Sequence, residues 1–276
     1  MDKIGRYEFM AEPFHCDFSG QLFMGHMGNH MLNAADFHSS ARGFGMKYLM
    51  TIKRSWVLSR LAIEMNEMPQ QYTKFNVETW VESAMRYFTS RNFAVIGIDD
   101  NPLTSDHSPL TSDHSPLTSK VYGYGRSIWA MIDTETRQPT DIYAIDNGAI
   151  NNWIVADKPC PIDKGGRVKM SGDAELVRTI DTYYNDVDIN GHINSVKYIE
   201  HVLDLWDIDW YRNHWVKRFE IAYVAEAHQG DQLSFYMEKQ EESLTSDHAP
   251  LTSFNVRIVR SDGTECCSSK VVFASR

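Results

Sequence analysis

The sequence predicts an α+β protein in which an antiparallel sheet wraps around a long helix, and it predicts this unit twice. Each half of the chain has the pattern of one strand, one helix and then four strands. In each half the helical segment carries apolar residues at helical spacing. A stretch rich in Gly, Pro, Asp and Asn separates the halves. An internal duplication explains this order better than one unrepeated sheet does.

The first half, residues 1–135, begins with a strand over 6–14 and a helix over 26–42. Apolar residues recur near helical spacing in the second segment, and Gly43 and Gly45 end it. Segments rich in Val, Ile, Trp, Tyr and Phe then predict four strands. We place these strands at 55–65, 74–82, 87–98 and 121–132.

A linker over 136–172, with short helical pieces around 147–155, leads into the second half, residues 173–276. There we expect a strand over 175–184 and a helix over 193–206 with a clear apolar stripe. Four strands follow, at 215–225, 232–241, 254–260 and 266–273. A long helix against antiparallel strands is the hotdog arrangement, so the prediction is a tandem (double) hotdog. Side by side, its two antiparallel sheets would form one continuous sheet.

A block of turn-forming residues, LTSDHSP, occurs twice within 103–119 and has a near copy within 244–253. Thr, Ser, Asp and Pro favour turns, so these blocks are expected to extend hairpin loops on the surface. Their Asp and His residues are interpreted as solvated side chains and not as metal ligands.

Composition and charge exclude several classes of protein. A net charge of −10 argues against nucleic acid as a partner, because phosphate binding requires a basic surface. No apolar run is long enough for a membrane span, and the N-terminus has no signal-peptide core. The four cysteines form no metal or disulfide motif, so we expect free thiols in a reducing cytosol.

The segment between the second-half strand and helix carries the most informative polar residues. Asp188, Asn190 and His192 alternate along an extended or turning segment, so their side chains can project to one side. Gly191 allows a ligand to approach the backbone closely. The helix predicted from Ile193 offers free N–H groups and a positive dipole end, which could stabilise an oxygen atom as it gains negative charge. The same residues are common in loops and N-caps, so spacing alone leaves both interpretations open.

The pattern Asp-x-Asn-x-His-x-Asn followed by Val-Lys-Tyr resembles the active-site segment of plant and bacterial acyl-ACP thioesterases, where ACP is acyl carrier protein. Residues 55–61, 75–83 and 127–132 also resemble first-domain strands of that family, and 178–180 resemble its lead into the motif. The resemblance implies a tandem hotdog enzyme that hydrolyses fatty acyl-ACP and ends fatty-acid chain elongation.

The resemblance also implies that Asp188, Asn190 and His192 act with a Glu on a later strand, matched here by Glu226. Many plant members have a Cys after that Glu. Ala227 stands there in this chain, which excludes a Cys-His mechanism at this position.

We therefore expect hydrolysis by an activated water. In this hypothesis Gly191 or a neighbouring N–H polarises the carbonyl together with the Asn190 amide, while Asp188 orients His192 or the water. Either Glu226 or His192 takes the proton, and direct attack by the carboxylate through an anhydride also stays open.

The resemblance places an apolar acyl tunnel in the first hotdog. Candidate lining residues are Met27, Met31, Met46, Trp56 and Trp80, although core packing explains each of them equally well. ACP is acidic, so an acidic chain needs a local basic patch for docking. Candidates come from a stretch without Asp or Glu: Arg42, Lys47, Lys53, Arg54 and Arg60.

Two alternatives to this function have different consequences. A hotdog acyl-CoA thioesterase would share the motif, but single-hotdog members of that group are shorter chains that pair as dimers. A non-catalytic acyl-binding hotdog protein should lack the polar residues at 188, 190, 192 and 226.

His26 and His30 have the i,i+4 spacing of a zinc pair but lack an HExxH pattern, so no metal or cofactor is expected. We expect a bacterial cytoplasmic protein or a mature form, and a homodimer stays open.

Overall fold

The computed structural model of the chain describes residues 2–98, 120–172, 174–241, 243–244 and 250–276. The repeated blocks at 103–119 and residues 245–249 of the near copy lie outside the described residues. The order of elements predicted from the sequence is confirmed in both halves of the chain.

In its described residues, the first half contains two α-helices and five strands. They are β1 (Gly5–Met10), α1 (Met24–Ser40), α2 (Met46–Thr51), β2 (Arg54–Met65), β3 (Lys74–Ala84), β4 (Phe88–Gly97) and β5 (Val121–Asp133). Helix α2 was not predicted, because six residues give too short a window for a helical period. Two short 3-10 helices, Ile142–Asn147 and Ala149–Trp153, lie in the predicted linker.

The second half repeats this order. Its elements are β6 (Glu175–Asp181), α3 (Ser195–Leu203), α4 (Ile208–Asn213), β7 (His214–Tyr223), β8 (Gln232–Lys239), β9 (Ser243–Leu244), β10 (Pro250–Arg260) and β11 (Glu265–Ser275). Helix α3 is shorter than predicted: Asn194 caps its start and Asp204 its end. Strand β10 begins earlier than predicted, because Pro250 pairs with Leu244 of β9.

Across the described residues, eleven strands form one sheet with the order β1-β3-β4-β5-β2-β7-β11-β10-β8-β6, and β9 pairs with β10. The order on one side of the β2–β7 junction mirrors the order on the other. In that antiparallel junction Arg60 pairs with Ala222, Ala62 with Glu220, and Glu64 with Arg218. A pseudo-two-fold axis therefore passes between Ala62 and Glu220. The two predicted sheets are joined into one, as a double hotdog requires.

Helices α1 and α3 pack on one face of this sheet and contact each other. A Cβ on Gly28 of α1 would lie 3.5 Å from Ile199 Cδ1 of α3, so the absence of a side chain allows this close packing. Buried residues of both halves, among them Met27, Ile63, Ile199 and Phe219, belong to one apolar cluster. The two halves therefore share a core. In the described part of the chain, no helix has the length and apolarity to cross a membrane.

The linker covers the opposite face of the first-half sheet. The Trp80 indole N–H donates to the carbonyl of Lys158 at 2.8 Å, and Arg126 donates to the carbonyl of Ile162 at 3.0 Å. Strand alternation places Val77 in the helix-side core and Trp80 under the linker.

Candidate active site

The polar segment predicted from the sequence forms a tight turn at the N-terminal end of α3. Asp188 N–H donates to the carbonyl of His192 at 2.8 Å, and Gly191 N–H donates to the carbonyl of Asp188 at 3.1 Å. Gly191 has φ +82°, a left-handed conformation that favours glycine. The turn ends at Asn194, whose side-chain oxygen accepts from Val196 N–H at 2.9 Å and caps the helix.

The structure brings His192 and Glu226 together, although 33 positions of sequence separate them. His192 Nε2 lies 3.3 Å from Glu226 Oε2, and the two side chains are 25% and 37% exposed. This partial exposure leaves both groups accessible to water and to a substrate. Ile193 N–H donates to the carbonyl of Ala227 at 2.8 Å, which ties the turn to the segment that carries Glu226.

Two arginines hold Glu226, one from the linker and one from the second half. Arg137, from the linker that follows β5, forms an ion pair with the second carboxylate oxygen of Glu226. Arg260 of β10 donates to the backbone carbonyl of Glu226 at 2.8 Å. The carboxylate is therefore fixed on one oxygen, while the other faces His192.

Asp188 acts on the backbone of the turn and not on the imidazole ring. Its Oδ1 accepts from the N–H groups of Asn190 at 2.8 Å and His192 at 3.3 Å, and its Oδ2 lies 3.3 Å from Asn190 Nδ2. Among the described residues, Asp188 makes no hydrogen bond to the His192 ring, which differs from expectation. The Gly191 amide also differs from expectation, because it already donates within the turn. The exposed Asn190 side chain keeps donor capacity for a ligand.

Sequence reasoning missed three groups beside this pair. Arg137 lies in a linker turn, and no spacing pattern connects it with Glu226. The His228 ring meets the His192 ring edge to face, with centroids 5.1 Å apart. Its position two residues after Glu226 was a usable signal. Below the turn, the buried Asp186 Oδ1 lies 2.9 Å from His201 Nε2, a pair that joins the turn to α3.

The cysteines offer no nucleophile to the candidate site. All four are free thiols. Burial raises the pKa of Cys266 to about 11 and raises the pKa of Cys267 well above its ordinary value, so both stay protonated near neutral pH. These two lie on β11, whereas position 227 is an alanine, as the sequence shows.

Metal-binding geometry is likewise not found in the described residues, where no group of three or more His, Cys, Asp or Glu side chains could hold an ion. His26 stacks on His15 with centroids 4.0 Å apart, and His30 packs against Phe9 and Phe75. The i,i+4 histidines of α1 are therefore engaged by aromatic neighbours.

Sequence models of a known family match most of the chain. The acyl-ACP thioesterase N-terminal domain matches residues 6–108, and the acyl-ACP thioesterase C-terminal domain matches residues 171–274. The chain belongs to the acyl-ACP thioesterase family.

Solved structures of acyl-ACP thioesterases share the double hotdog fold. The chain is similar to the crystal structure of an acyl-ACP thioesterase from Bacteroides thetaiotaomicron, with a TM-score of 0.82 and 46% identity over 98% of each chain. It is similar in fold to the 12:0-ACP thioesterase from Umbellularia californica, with a TM-score of 0.77 and 18% identity over 99% of this chain and 95% of the other.

Curated acyl-ACP thioesterases are longer proteins. The chloroplastic acyl-[acyl-carrier-protein] hydrolase of Cuphea viscosissima is 28% identical over 151 residues, which are 54% of this chain and 32% of that protein. The dodecanoyl-[acyl-carrier-protein] hydrolase of Cinnamomum camphora matches over 50% of its length. The chain thus spans about a third to a half of the length of these curated relatives.

A cavity of about 200 Å³ in the first half of this thioesterase-family chain lies between α1 and strands β2 to β5. Of the five predicted lining residues, Met46 and Trp56 line it. Met27 and Met31 are fully buried in the shared core, and Trp80 lies on the opposite face of the sheet under the linker. Strand alternation turns Val81, and not Trp80, towards this cavity.

The same cavity has a polar wall. Arg91 is buried and donates to Thr79 Oγ1 at 3.1 Å and to Ser39 Oγ at 3.0 Å. Burial lowers the pKa of Arg91 to about 10, so the guanidinium stays charged at neutral pH. Burial also lowers the pKa of His38, whose ring nitrogen lies 3.0 Å from the carbonyl of Lys3. The cavity combines aromatic walls with this fixed positive group.

The basic residues predicted to dock ACP do not form one patch. Lys53 and Arg54 form ion pairs with Glu135 and Asp133, next to the turn that carries Arg137, and Lys47 is exposed on α2. These three lie near the Glu226 end of the sheet. Arg42 instead donates to the carbonyls of His38 and Asp2 and lies over the Trp153 ring. Arg60 lies on the linker side of β2, beside Lys164 and Gly165.

Proposed function

We propose that this chain hydrolyses the thioester bond between a fatty acyl group and ACP, which releases free fatty acid and ends chain elongation. The observation that carries the proposal is the His192–Glu226 pair at the N-terminal end of α3, in a chain of the acyl-ACP thioesterase family. The pair is accessible to water, and Glu226 is held by an arginine from the linker between the two halves.

The proposed reaction uses one water molecule. Glu226 or His192 takes a proton from the water as its oxygen attacks the thioester carbonyl carbon. The tetrahedral intermediate then collapses, the C–S bond breaks, and the leaving thiolate takes up a proton. The products are a carboxylic acid and the free thiol of the ACP carrier arm. A positioned general base contributes ~10²–10⁴-fold to such a rate.

The developing oxyanion needs a donor near the turn. Because Gly191 N–H is already used, we assign this role to the exposed Asn190 amide, assisted by His192 once it carries the proton. Loss of one such donor costs roughly 10²–10³-fold in kcat. Asp188 supports both groups through the amides of the turn.

The acyl chain and its carrier approach from the same end of the sheet in this proposal. One side of the first-half cavity is formed by Met46 and Trp56, near the start of β2. There β2 pairs with the end of β5, and the chain that follows β5 leads to Arg137, the ion-pair partner of Glu226. Lys47, Lys53 and Arg54 lie at this end and are the proposed contacts for acidic ACP. Met27 and Met31 could admit a longer chain only by a rearrangement of the core.

The test is release of fatty acid from a ladder of acyl-ACPs and of the matching acyl-CoAs. We expect a preference for acyl-ACP and a strong loss with His192→Ala and Glu226→Ala. Gln21→Ala, a change of a polar residue in the first half of the chain, is the control and should keep wild-type rates. Equal or faster turnover of acyl-CoA would favour the acyl-CoA alternative. Acyl binding without hydrolysis of either carrier would favour a binding protein.

We further propose a bacterial cytoplasmic location, supported by similarity to a bacterial acyl-ACP thioesterase. A homodimer also stays a prediction. The joined sheet already gives each hotdog unit its partner within one chain. Sedimentation of the purified chain at several concentrations would distinguish a monomer from a dimer.

A further inference from the structure

The first half of the chain contains a second copy of the candidate active-site turn. Asp17 N–H donates to the carbonyl of Gln21 at 2.7 Å, and Gly20 N–H donates to the carbonyl of Asp17 at 2.9 Å. Asp17 Oδ1 accepts from the N–H groups of Ser19 at 2.7 Å and Gln21 at 3.1 Å. Gly20 has φ +77°. Each contact has its counterpart in the Asp188 turn, with residue numbers raised by 171.

The correspondence extends to the segment that carries Glu226. Leu22 N–H donates to the carbonyl of Pro69, as Ile193 N–H donates to the carbonyl of Ala227. Met68 precedes Pro69 as Glu226 precedes Ala227. The pseudo-two-fold axis of the sheet thus relates two copies of the turn and of its backbone contact to a later segment.

The first-half copy lacks the groups that would do chemistry. Ser19 stands at the position of Asn190, Gln21 at that of His192, and Met68 at that of Glu226. A glutamine and a methionine neither take nor give a proton near neutral pH. This copy cannot activate a water as the other one could.

The cavity beside the first-half copy is nevertheless the larger of the two. It encloses about 690 Å³ and is lined by Gln21 and Met68 together with residues of the second half. Small-molecule sites fall within roughly 300–1,000 Å³. The apolar lining from the second half comprises Leu203, Trp206, Ile208, Tyr211, Trp215 and Val216.

The two cavities are built from corresponding positions. Leu32 of α1 and Leu203 of α3 are both the ninth residue of their helices. Leu32 lines the cavity of about 200 Å³, and Leu203 lines the cavity of about 690 Å³. Met46 and Ile208 begin the short helices α2 and α4, and they also line the two cavities. The second cavity thus corresponds in position to the proposed acyl site and also has apolar walls. It therefore fits an acyl chain as well.

We infer that this second cavity binds a fatty acid without hydrolysing any ester of it. The ligand class rests on the proposed function of the first cavity. The aliphatic chain lies against Leu203, Trp206 and Val216, and its carboxylate lies at the rim near Arg276 and Lys197. Arg276 Nη2 is 3.4 Å from Asp17 Oδ2, and Lys197 Nζ is 2.7 Å from Glu200 Oε2, so the ligand carboxylate competes with these two partners for the cations.

The inference is tested by the stoichiometry of dodecanoic acid binding, measured by isothermal titration calorimetry on the full chain. Two matched variants fill one cavity each: Leu32→Trp and Leu203→Trp. Because Leu203 is partly buried, Ile208→Glu serves as a second variant. Ile208 is 53% exposed, so this change is tolerated at the rim and places a negative charge beside the ligand carboxylate.

We expect two equivalents bound by the wild type and one by each Trp variant. Leu203→Trp should keep acyl-ACP hydrolysis, whereas Leu32→Trp should lose it. Ile208→Glu should weaken one of the two sites by about tenfold or more. One equivalent bound by the wild type, unchanged in Leu203→Trp and Ile208→Glu, would overturn the inference. Two equivalents without hydrolysis by the wild type would refute the proposed function and leave the second site standing.

Discussion

Asp188 holds the candidate site by accepting hydrogen bonds from backbone amides. This role requires an oxygen acceptor but not a negative charge. An Asn at 188 keeps the oxygen that accepts from Asn190 N–H and His192 N–H. We expect Asp188→Asn to stay within about tenfold of the wild-type kcat/KM, and Asp188→Ala to lose about 10²-fold through misplacement of His192. Asp17→Ala, in the other turn, is the control. Equal losses in the Asn and Ala variants would contradict a backbone role.

The sequence predicted some residues of the candidate site and missed others. The motif and its resemblance indicated His192 and Glu226, and the structure places them in contact. Arg137 could not be found, because only the folded linker brings it to Glu226. The position of Trp80 depended on which face of β3 meets the helix, and strict alternation alone does not say which face is inside.

Among the elements, helix α3 depends on its cap. Asn194 accepts from Val196 N–H, and its own N–H donates to the carbonyl of Asp186, so it fixes both the helix and the turn. We expect Asn194→Ala to lower the free energy of unfolding by about 1 kcal/mol, and Asn194→Asp to preserve it. Urea denaturation measures both. Phe23 occupies the matching cap position of α1 without a side-chain cap, so Phe23→Ala should show no loss attributable to capping.

Helix α1 carries a histidine whose burial predicts acid sensitivity. Burial lowers the pKa of His30 to about 4. The negative charge of Glu12 opposes this shift, whereas His15 and His26 lower the pKa slightly further. An unfolded histidine titrates near 6.5, so below that pH the unfolded state binds the proton more readily. Its stabilising contribution is present above about pH 6.5 and is lost as the pH falls towards 4.

The measurement is urea unfolding of the wild type and His30→Met at pH 7 and pH 5. Between pH 7 and pH 5, the free energy of unfolding of the wild type should fall by about 2 kcal/mol more than that of the variant. His228→Gln provides a control at an exposed ring, 54% accessible in its side chain. An equal loss in His30→Met and the wild type would show that His30 does not cause the acid sensitivity.

At the scale of the whole molecule, the two halves share one sheet and one apolar cluster. They are therefore expected to unfold as one unit. Tryptophan fluorescence and far-UV circular dichroism should report coincident transitions in urea. Two separated transitions would show that the hotdog units are independently stable, in spite of the β2–β7 junction.

Much of this architecture was predictable from sequence, since long periodic segments specify α1, α3 and the longer strands. The short helices α2 and α4 were not, because six residues carry too little periodicity. The duplication was visible only as an order of elements. Its detailed form, two turns with matching hydrogen bonds, is visible only in the structure, because Ser19 and Gln21 are different residue types from Asn190 and His192.

The central claim is that one of these two turns hydrolyses acyl-ACP and the other does not. The most direct measurement is kcat/KM for dodecanoyl-ACP in Glu226→Met, which gives the second-half site the residue that the first half has at Met68. We expect a loss of ~10²–10⁴-fold in a variant that unfolds like the wild type, and wild-type activity in Met68→Ala. Wild-type activity in Glu226→Met, or its loss in Met68→Ala, would contradict the assignment.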